Sequence, residues 1–238
     1  MTEFRPEPSA TGSLRAQFEA LHAERVRTWA PDNLRRNVEQ RRALVAAFDP
    51  AKVVNVGDRV EDFSLALSTG GTIGLDELIA EGPVALVFFR FAGCPACNIA
   101  LPHYDSRLRP ALDAAGIRIV AVSPHLPERG LDAIRTRHNL GFAVAGDRDN
   151  LLGRRFGLTF EPADAPAPAA GDDGWIGALT GTGTWELPQP AVIVIDRDRR
   201  VIFADVSPDW LVRTEAEAVI AALAPDAEHD RQPALATG

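Results

Sequence analysis

Cysteine is scarce in this chain: among 238 residues only Cys94 and Cys97 carry a thiol. Two cysteines cannot build the multi-bridge framework that small secreted domains use in place of a large core. They also fall short of a structural zinc site, which wants about four Cys or His ligands. A copper site made of both thiols and a histidine stays open. Lysine is scarcer still, with Lys52 alone. The other basic residues are arginines, and they are outnumbered, for a formal net charge of −8. That balance argues against nucleic-acid partners, which need a basic face, and provides no polybasic membrane patch. No apolar run approaches the roughly 18–20 residues that span a bilayer. The start, Met1 to Pro6, lacks the basic-then-apolar layout of a signal peptide. A cytoplasmic location is therefore the expectation, and in a reducing compartment a cysteine pair reads as redox-active. No glycine-rich phosphate loop follows a strand, so no nucleotide or other cofactor is expected.

What is present is a spacing. Cys94-Pro95-Ala96-Cys97 follows the apolar run Pro83 to Phe91 and opens a segment that reads as a helix. A strand feeding a C-x-x-C at a helix start is the layout of a redox dithiol. Unpaired amides and the helix dipole favour thiolate over thiol there. Cys94 and Cys97 are thus the candidate catalytic residues, weighed against a pair of inert, well-packed thiols.

The length fits one large domain with appendages. Residues 1–12 are expected to be disordered, and a helical extension occupies 13–52. In it Ser13 caps a first helix with Leu14, Phe18, Leu21 and Trp29 on one face. Asp32 caps a second with Leu34, Val38, Val45 and Phe48 aligned. Its use is packing on the main domain or on a second subunit, which makes a homodimer a candidate assembly. The main domain spans 53–225, and a polar tail, 226–238, is expected to be mobile. Strands are expected at Phe63–Leu67, around 84–91, and at Ile117–Val122, Phe142–Val144, Ala191–Ile195 and Val201–Ala204. Helices are expected from the C-x-x-C to about Ala115, at Glu128–His138, from an Asp149 cap to Phe156, and at Glu215–Leu223. Helices between strands imply parallel pairing, and the closing hairpin adds antiparallel strands. The fold class is α/β, a thioredoxin-like mixed sheet flanked by helices. The stretch 160–188, rich in Pro, Ala, Gly and Asp, reads as a long loop insertion.

Phe89-Arg90-Phe91-Ala92-Gly93-Cys94-Pro95-Ala96-Cys97-Asn98 resembles the active-site segment of the peroxiredoxin-like family, the alkyl hydroperoxide reductase/thiol-specific antioxidant group. Val56 to Phe63 resembles its V-G-D-x-A-P-D-F opening, Val122-Ser123-Pro124 its V-S-P, and Trp185 to Ala191 its W-E-L-P-x-P-A stretch. The resemblance implies a thioredoxin-like fold and peroxide reduction coupled to a thioredoxin- or glutathione-type reductant. Two departures stand out. With Cys97 in the peroxidatic position, Arg90 and Cys94 occupy the places of the family's proline and threonine. Pro190 stands where the family puts an activating arginine, which leaves that arginine without a counterpart. Pro190 also matches the thioredoxin pattern, in which a cis-proline faces the C-x-x-C.

Two chemistries follow, on a peroxide or on a disulfide substrate. In one, Cys97 attacks a peroxide and Cys94 resolves the sulfenic acid. In the other, Cys94 is the exposed attacking thiolate of disulfide exchange. A redox-switched binding protein is a third reading, motivated by the appendages. Arg90, Pro95, Pro190, Trp185 and Glu186 are candidate residues that stabilise or position the thiolate, each with an ordinary packing role as the alternative. His103 and His125 read as helix or surface histidines rather than bases.

Overall fold

Strand β3, Val84–Phe88, has every residue buried, which is what an unbroken apolar run signals in a strand covered on both faces. A computed structural model describes residues 12–224 apart from 164, 166 and 170. The expectations for 226–238, and for 1–12 except Gly12, lie outside the described residues. Beside β3 lie β4, Arg118–Ser123, and then β5, Ala143–Gly146, both in parallel pairing. A hairpin of β1, Ser64–Leu67, and β2, Thr72–Gly74, adds the far edge antiparallel. Two strands, β6 at Thr159–Phe160 and β7 at Leu187–Pro188, pair with each other outside the sheet. On the other side of β3 lie β8, Ala191–Ile195, and β9, Val201–Val206, both antiparallel. The sheet order is β2-β1-β5-β4-β3-β8-β9, the mixed α/β arrangement the sequence implied.

The period-two alternation of strand side chains divides the core. Val84, Leu86 and Phe88 face one layer with Val120, Val122, Ile193 and Ile195. Ala85, Val87 and Phe89 face the other with Ile119, Ala121, Val192 and Val194. That second layer contains Cys94 and Cys97, at the start of helix α4. The helices are α1 (Leu14–Thr28), α2 (Pro31–Ala47), α3 (Leu75–Ile79), α4 (Pro95–Arg107), α5 (Arg109–Ala114), α6 (Ala133–His138), α7 (Leu151–Arg155), α8 (Ile176–Thr180) and α9 (Ala216–Leu223). Among the described residues no helix is long and apolar enough to cross a membrane. Pro102 lies inside α4, where it can donate no ladder bond.

Several local expectations are corrected. Ser13 does cap α1, its Oγ accepting from the Ala16 amide at 3.2 Å, but the fourth buried position is Arg25, and Trp29 ends the helix half-exposed. Asp32 caps nothing: Ala30 is the N-cap of α2, Pro31 takes the first turn, and no residue of the helix is fully buried. The N-cap position of α7 is Asn150, and the acid that meets its first amides is Asp147 rather than Asp149. The Asp147 carboxylate accepts from the Leu152 and Gly153 amides at 2.9 and 2.8 Å, while Asp149 sits in left-handed backbone at φ 58°. Gly130, at φ 93°, splits the helix expected at 128–138 into a short 3-10 turn and α6. Leu108 likewise parts α4 from α5. The 160–188 loop contains α8 and β7.

Glu215, at the N-cap of α9, ties the N-terminal helices to the sheet domain. Its carboxylate accepts from the amides of Leu14 and Arg15 at 3.0 and 2.8 Å, so a residue 201 positions away caps α1. Beneath that cap Leu14, Phe18 and Leu21 enter the thiol-side core. We expect Glu215→Ala to cost about 1–2 kcal/mol in denaturant titration, as loss of a helix cap does, and to speed limited proteolysis within α1. Unchanged proteolysis would show that packing alone holds the helix.

Candidate active site

Cys94 is the N-cap of α4, with Pro95 at the first helical position, where a missing amide costs nothing. The Cys94 carbonyl accepts from the amides of Cys97 and Asn98, each at 3.0 Å, so both cysteines belong to one turn. The loop that delivers them is fixed on two sides. Asn98 Nδ2 donates to the carbonyls of Ala92 and Cys94 at 2.8 and 2.9 Å, while its Oδ1 accepts from Arg137 and lies 2.8 Å from His138 Nε2. His125 Nδ1 accepts from the Ala92 amide at 3.2 Å, and its Nε2 reaches the Arg129 carbonyl at 3.0 Å. That pairing fits a neutral ring with the proton on Nε2, and burial holds this imidazole below its ordinary value. His125 is therefore a loop-positioning residue. His103 is also buried, against Gln17 of α1 at 3.1 Å and 4.0 Å from Glu215.

Both thiols are buried, Cys94 at 2% exposure and Cys97 at 0%. Burial by itself disfavours a thiolate. At Cys97 other groups outweigh it: a hydrogen bond from the Cys94 thiol, the Arg213 guanidinium and the Arg90 backbone amide hold the thiol well below its ordinary value. Arg213 Nη2 lies 3.4 Å from Cys97 Sγ. At Cys94 burial wins, and sharing a proton with Cys97 pushes it further up, well above the ordinary value. The pair is thus polarised in opposite directions, Cys97 toward the thiolate and Cys94 toward the thiol that donates to it.

Arg213 is the residue that sequence reasoning missed, since the activating arginine had no counterpart ahead of the late strand. The structure brings one from beyond that strand, between β9 and α9. It is itself 8% exposed, its Nε donates to the Trp210 carbonyl at 3.0 Å, and its guanidinium lies 5.7 Å over Phe18 of α1. Nothing in the local sequence marks it, because its partner lies 116 positions away.

The other singled-out residues divide. Arg90 is near the thiols: its amide faces Cys97, and its guanidinium stacks over Trp210 at 4.5 Å. Pro190 precedes β8, and its carbonyl accepts from the Ser207 amide at 2.7 Å. Its peptide bond is trans, as are all those described, so the cis geometry expected from the thioredoxin pattern is not present. Trp185 packs on Trp175 with ring centroids 5.3 Å apart. Glu186 is engaged by Arg154, at 2.6 Å from Nη2, and by Asn150 at 3.3 Å.

With its value lowered, Cys97 ionises at lower pH than an ordinary thiol, and the thiolate is lost as pH falls through the lowered value. We expect one thiol equivalent of ultraviolet thiolate absorbance to appear at lower pH than in a free thiol. In Arg213→Met the Cys97 titration should move upward and peroxide reactivity fall about a hundredfold, the scale of losing a fixed charge-stabilising donor. An unmoved titration would exclude Arg213 as the stabilising charge.

The AhpC/TSA family model matches residues 56–204. No curated protein matches significantly. Among solved structures, peroxidoxin BcpB from Mycobacterium tuberculosis superposes with a TM-score of 0.55 at 21% identity, over 71% of this chain and 96% of that one. A PrxQ mutant from Xylella fastidiosa gives 0.55 at 16%, over 71% and 95%. A peroxiredoxin 6 mutant from Arenicola marina gives 0.54 at 12%, over 70% of each. At these identities the structural likeness speaks for the fold alone. The family match takes in the hairpin, the central strands, the dithiol turn and most of β9, and on it the chain belongs to the AhpC/TSA family.

Proposed function

We propose that this protein is a peroxiredoxin-type, thiol-dependent peroxidase in which Cys97 is the peroxidatic thiolate and Cys94 the resolving thiol. The observation that carries the assignment is the buried Arg213 guanidinium on Cys97 Sγ. Exchange chemistry of the thioredoxin type needs an exposed, low-pKa thiolate at the first cysteine. Cys94 is buried and pushed the other way, and the proline that would complete that pattern is trans.

The Cys97 thiolate attacks one peroxide oxygen and the O–O bond breaks. The departing alkoxide takes a proton from solvent and leaves as an alcohol, or as water from hydrogen peroxide. Cys97 becomes a sulfenic acid, oxidised by two electrons. The Cys94 sulfur then attacks the Cys97 sulfur; hydroxide leaves with the Cys94 proton as water, and a disulfide forms. A thioredoxin-type dithiol, or two equivalents of a glutathione-type thiol, returns the two electrons and two protons and is itself oxidised to a disulfide. Arg213 holds the attacking sulfur ionised without a base, and Pro95 presets the turn that keeps both sulfurs together. This cycle suits a reducing cytoplasm.

Stopped-flow mixing of reduced protein with hydrogen peroxide tests the assignment, with Trp210 fluorescence as the signal. Cys97→Ser should abolish the fast phase. Cys94→Ser should keep it but stall after one equivalent with a sulfenic acid that a trapping nucleophile captures. A wild-type rate no faster than that of a free thiol, or a fast phase surviving in Cys97→Ser, would overturn the assignment.

A further inference from the structure

Three groups able to ligate a metal converge where α1, α4 and α9 meet. They are His103 of α4, Glu215 at the N-cap of α9 and Glu217 in its first turn. His103 Nε2 lies 4.0 Å from Glu215 Oε2, and one ligand atom from each residue falls within 4.8 Å of the other two. Cys97 stands roughly 9 Å away along the α4 axis, at about 1.5 Å of rise per residue, and neither sulfur belongs to the cluster.

Helix capping accounts for the carboxylates. Glu215 caps α1, and acids in a first turn complement the helix dipole. Capping does not account for the histidine. The His103 side chain is 4% exposed, and its Nε2 has no hydrogen-bond partner among the described residues. A buried polar atom left unmet is costly, and this one faces the two carboxylates. The other ring nitrogen is held, with Nδ1 3.1 Å from the Gln17 side-chain amide of α1. With the oxygen of that amide turned toward the ring, Nδ1–H donates to it and the Nε2 lone pair is left for an ion. An oxygen acceptor on the far nitrogen is how metal-bound imidazoles are oriented. The carboxylates also keep capacity. Each Glu215 oxygen accepts one amide, from Leu14 or Arg15, and retains a lone pair. Glu217 is 63% exposed and its ion pair with Arg107 is long, at 3.9 Å, so it turns inward at little cost. Two metal–ligand bonds of about 2.0–2.2 Å together span roughly 4 Å, which matches the separation of His103 and Glu215.

We infer that His103, Glu215 and Glu217 form a binding site for a divalent cation of the zinc class, which fastens α1 to α4 and α9 through the carboxylate that caps α1. An imidazole beside carboxylates selects zinc over calcium and magnesium, which take oxygen ligands. Three protein ligands leave the fourth tetrahedral position to water. The site goes beyond the peroxidase reading and stands independently of it.

Calorimetric titration of the full chain with zinc chloride tests the site. Wild type should take up a further equivalent that His103→Gln does not, and calcium chloride should not displace it. Glu217→Gln alters an exposed side chain, so it keeps the test sound if the buried variant misfolds. It should weaken zinc by at least about tenfold, the loss seen even when a ligand's own hydrogen-bond partner is removed. Arg107→Ala removes the competing cation and should tighten binding about two- to fivefold, the worth of an exposed ion pair. Cobalt(II) reports the donor atoms: the spectrum of wild type minus that of His103→Gln should show visible d–d bands and no thiolate-to-metal charge-transfer band. Zinc should also slow limited proteolysis within α1 in wild type and not in Glu217→Gln. Equal zinc uptake by wild type, His103→Gln and Glu217→Gln, or a thiolate band in the cobalt difference, overturns the site. Displacement by an equal concentration of calcium overturns its preference for zinc, and proteolysis that zinc leaves unchanged overturns the fastening of α1.

Discussion

A guanidinium sealed from water beside a sulfur sealed from water is the constraint around which this molecule is arranged. Neither Arg213 nor an ionised Cys97 is tolerable alone in an apolar core, since removing one member of such a pair costs about 3–5 kcal/mol. Each is therefore the condition for the other. Their contact also fixes geometry, because Arg213 belongs to the chain after β9 while Cys97 opens α4 after β3. The ion pair closes the thiol-side layer across the sheet, and Phe18 beneath the guanidinium makes α1 part of that closure. The N-terminal helices are in this sense a wall of the site rather than an appendage beside it.

The asymmetry between the two cysteines has the same origin. Both are buried to the same degree, so burial cannot tell them apart. Cys97 faces Arg213 and the Arg90 amide, whereas Cys94 faces chiefly Cys97. The proton is therefore favoured on Cys94, which the cations reach less closely than they reach Cys97. The usual argument for a C-x-x-C, that the first cysteine profits from the helix N-terminus, is outweighed by the hydrogen bond Cys94 gives to Cys97 together with a guanidinium from a distant segment.

Much of the fold was legible in the sequence. Unbroken apolar runs marked β3, β4 and β8 as buried strands, because a strand covered on both faces shows no polar alternation. The dithiol turn was legible because Pro95 and the flanking apolar run obey local rules. What failed was of two kinds. Caps were misplaced where a competing acid stood two residues away, as with Asp147 and Asp149, since composition alone does not say which one meets the helix axis. Trp29 was read as core because helical spacing put it on the Phe18 face; the tertiary packing ends one turn earlier, at Arg25. Arg213 was invisible for a different reason. It lies past residue 204, where the family match ends, and only the fold brings it to Cys97.

Pro102 bears on how such an enclosed pair can be used. In an intact α-helix the residue at that position would donate to the carbonyl of Asn98, and proline has no hydrogen to give. The turn that holds both sulfurs is thus joined to the remainder of α4 by one strut fewer than its neighbours. Unwinding that turn forfeits one backbone bond fewer than it would in a helix without the proline, although the Asn98 and Arg213 contacts must still be given up. Enclosure protects the sulfur between turnovers, and the missing strut lowers the cost of opening it.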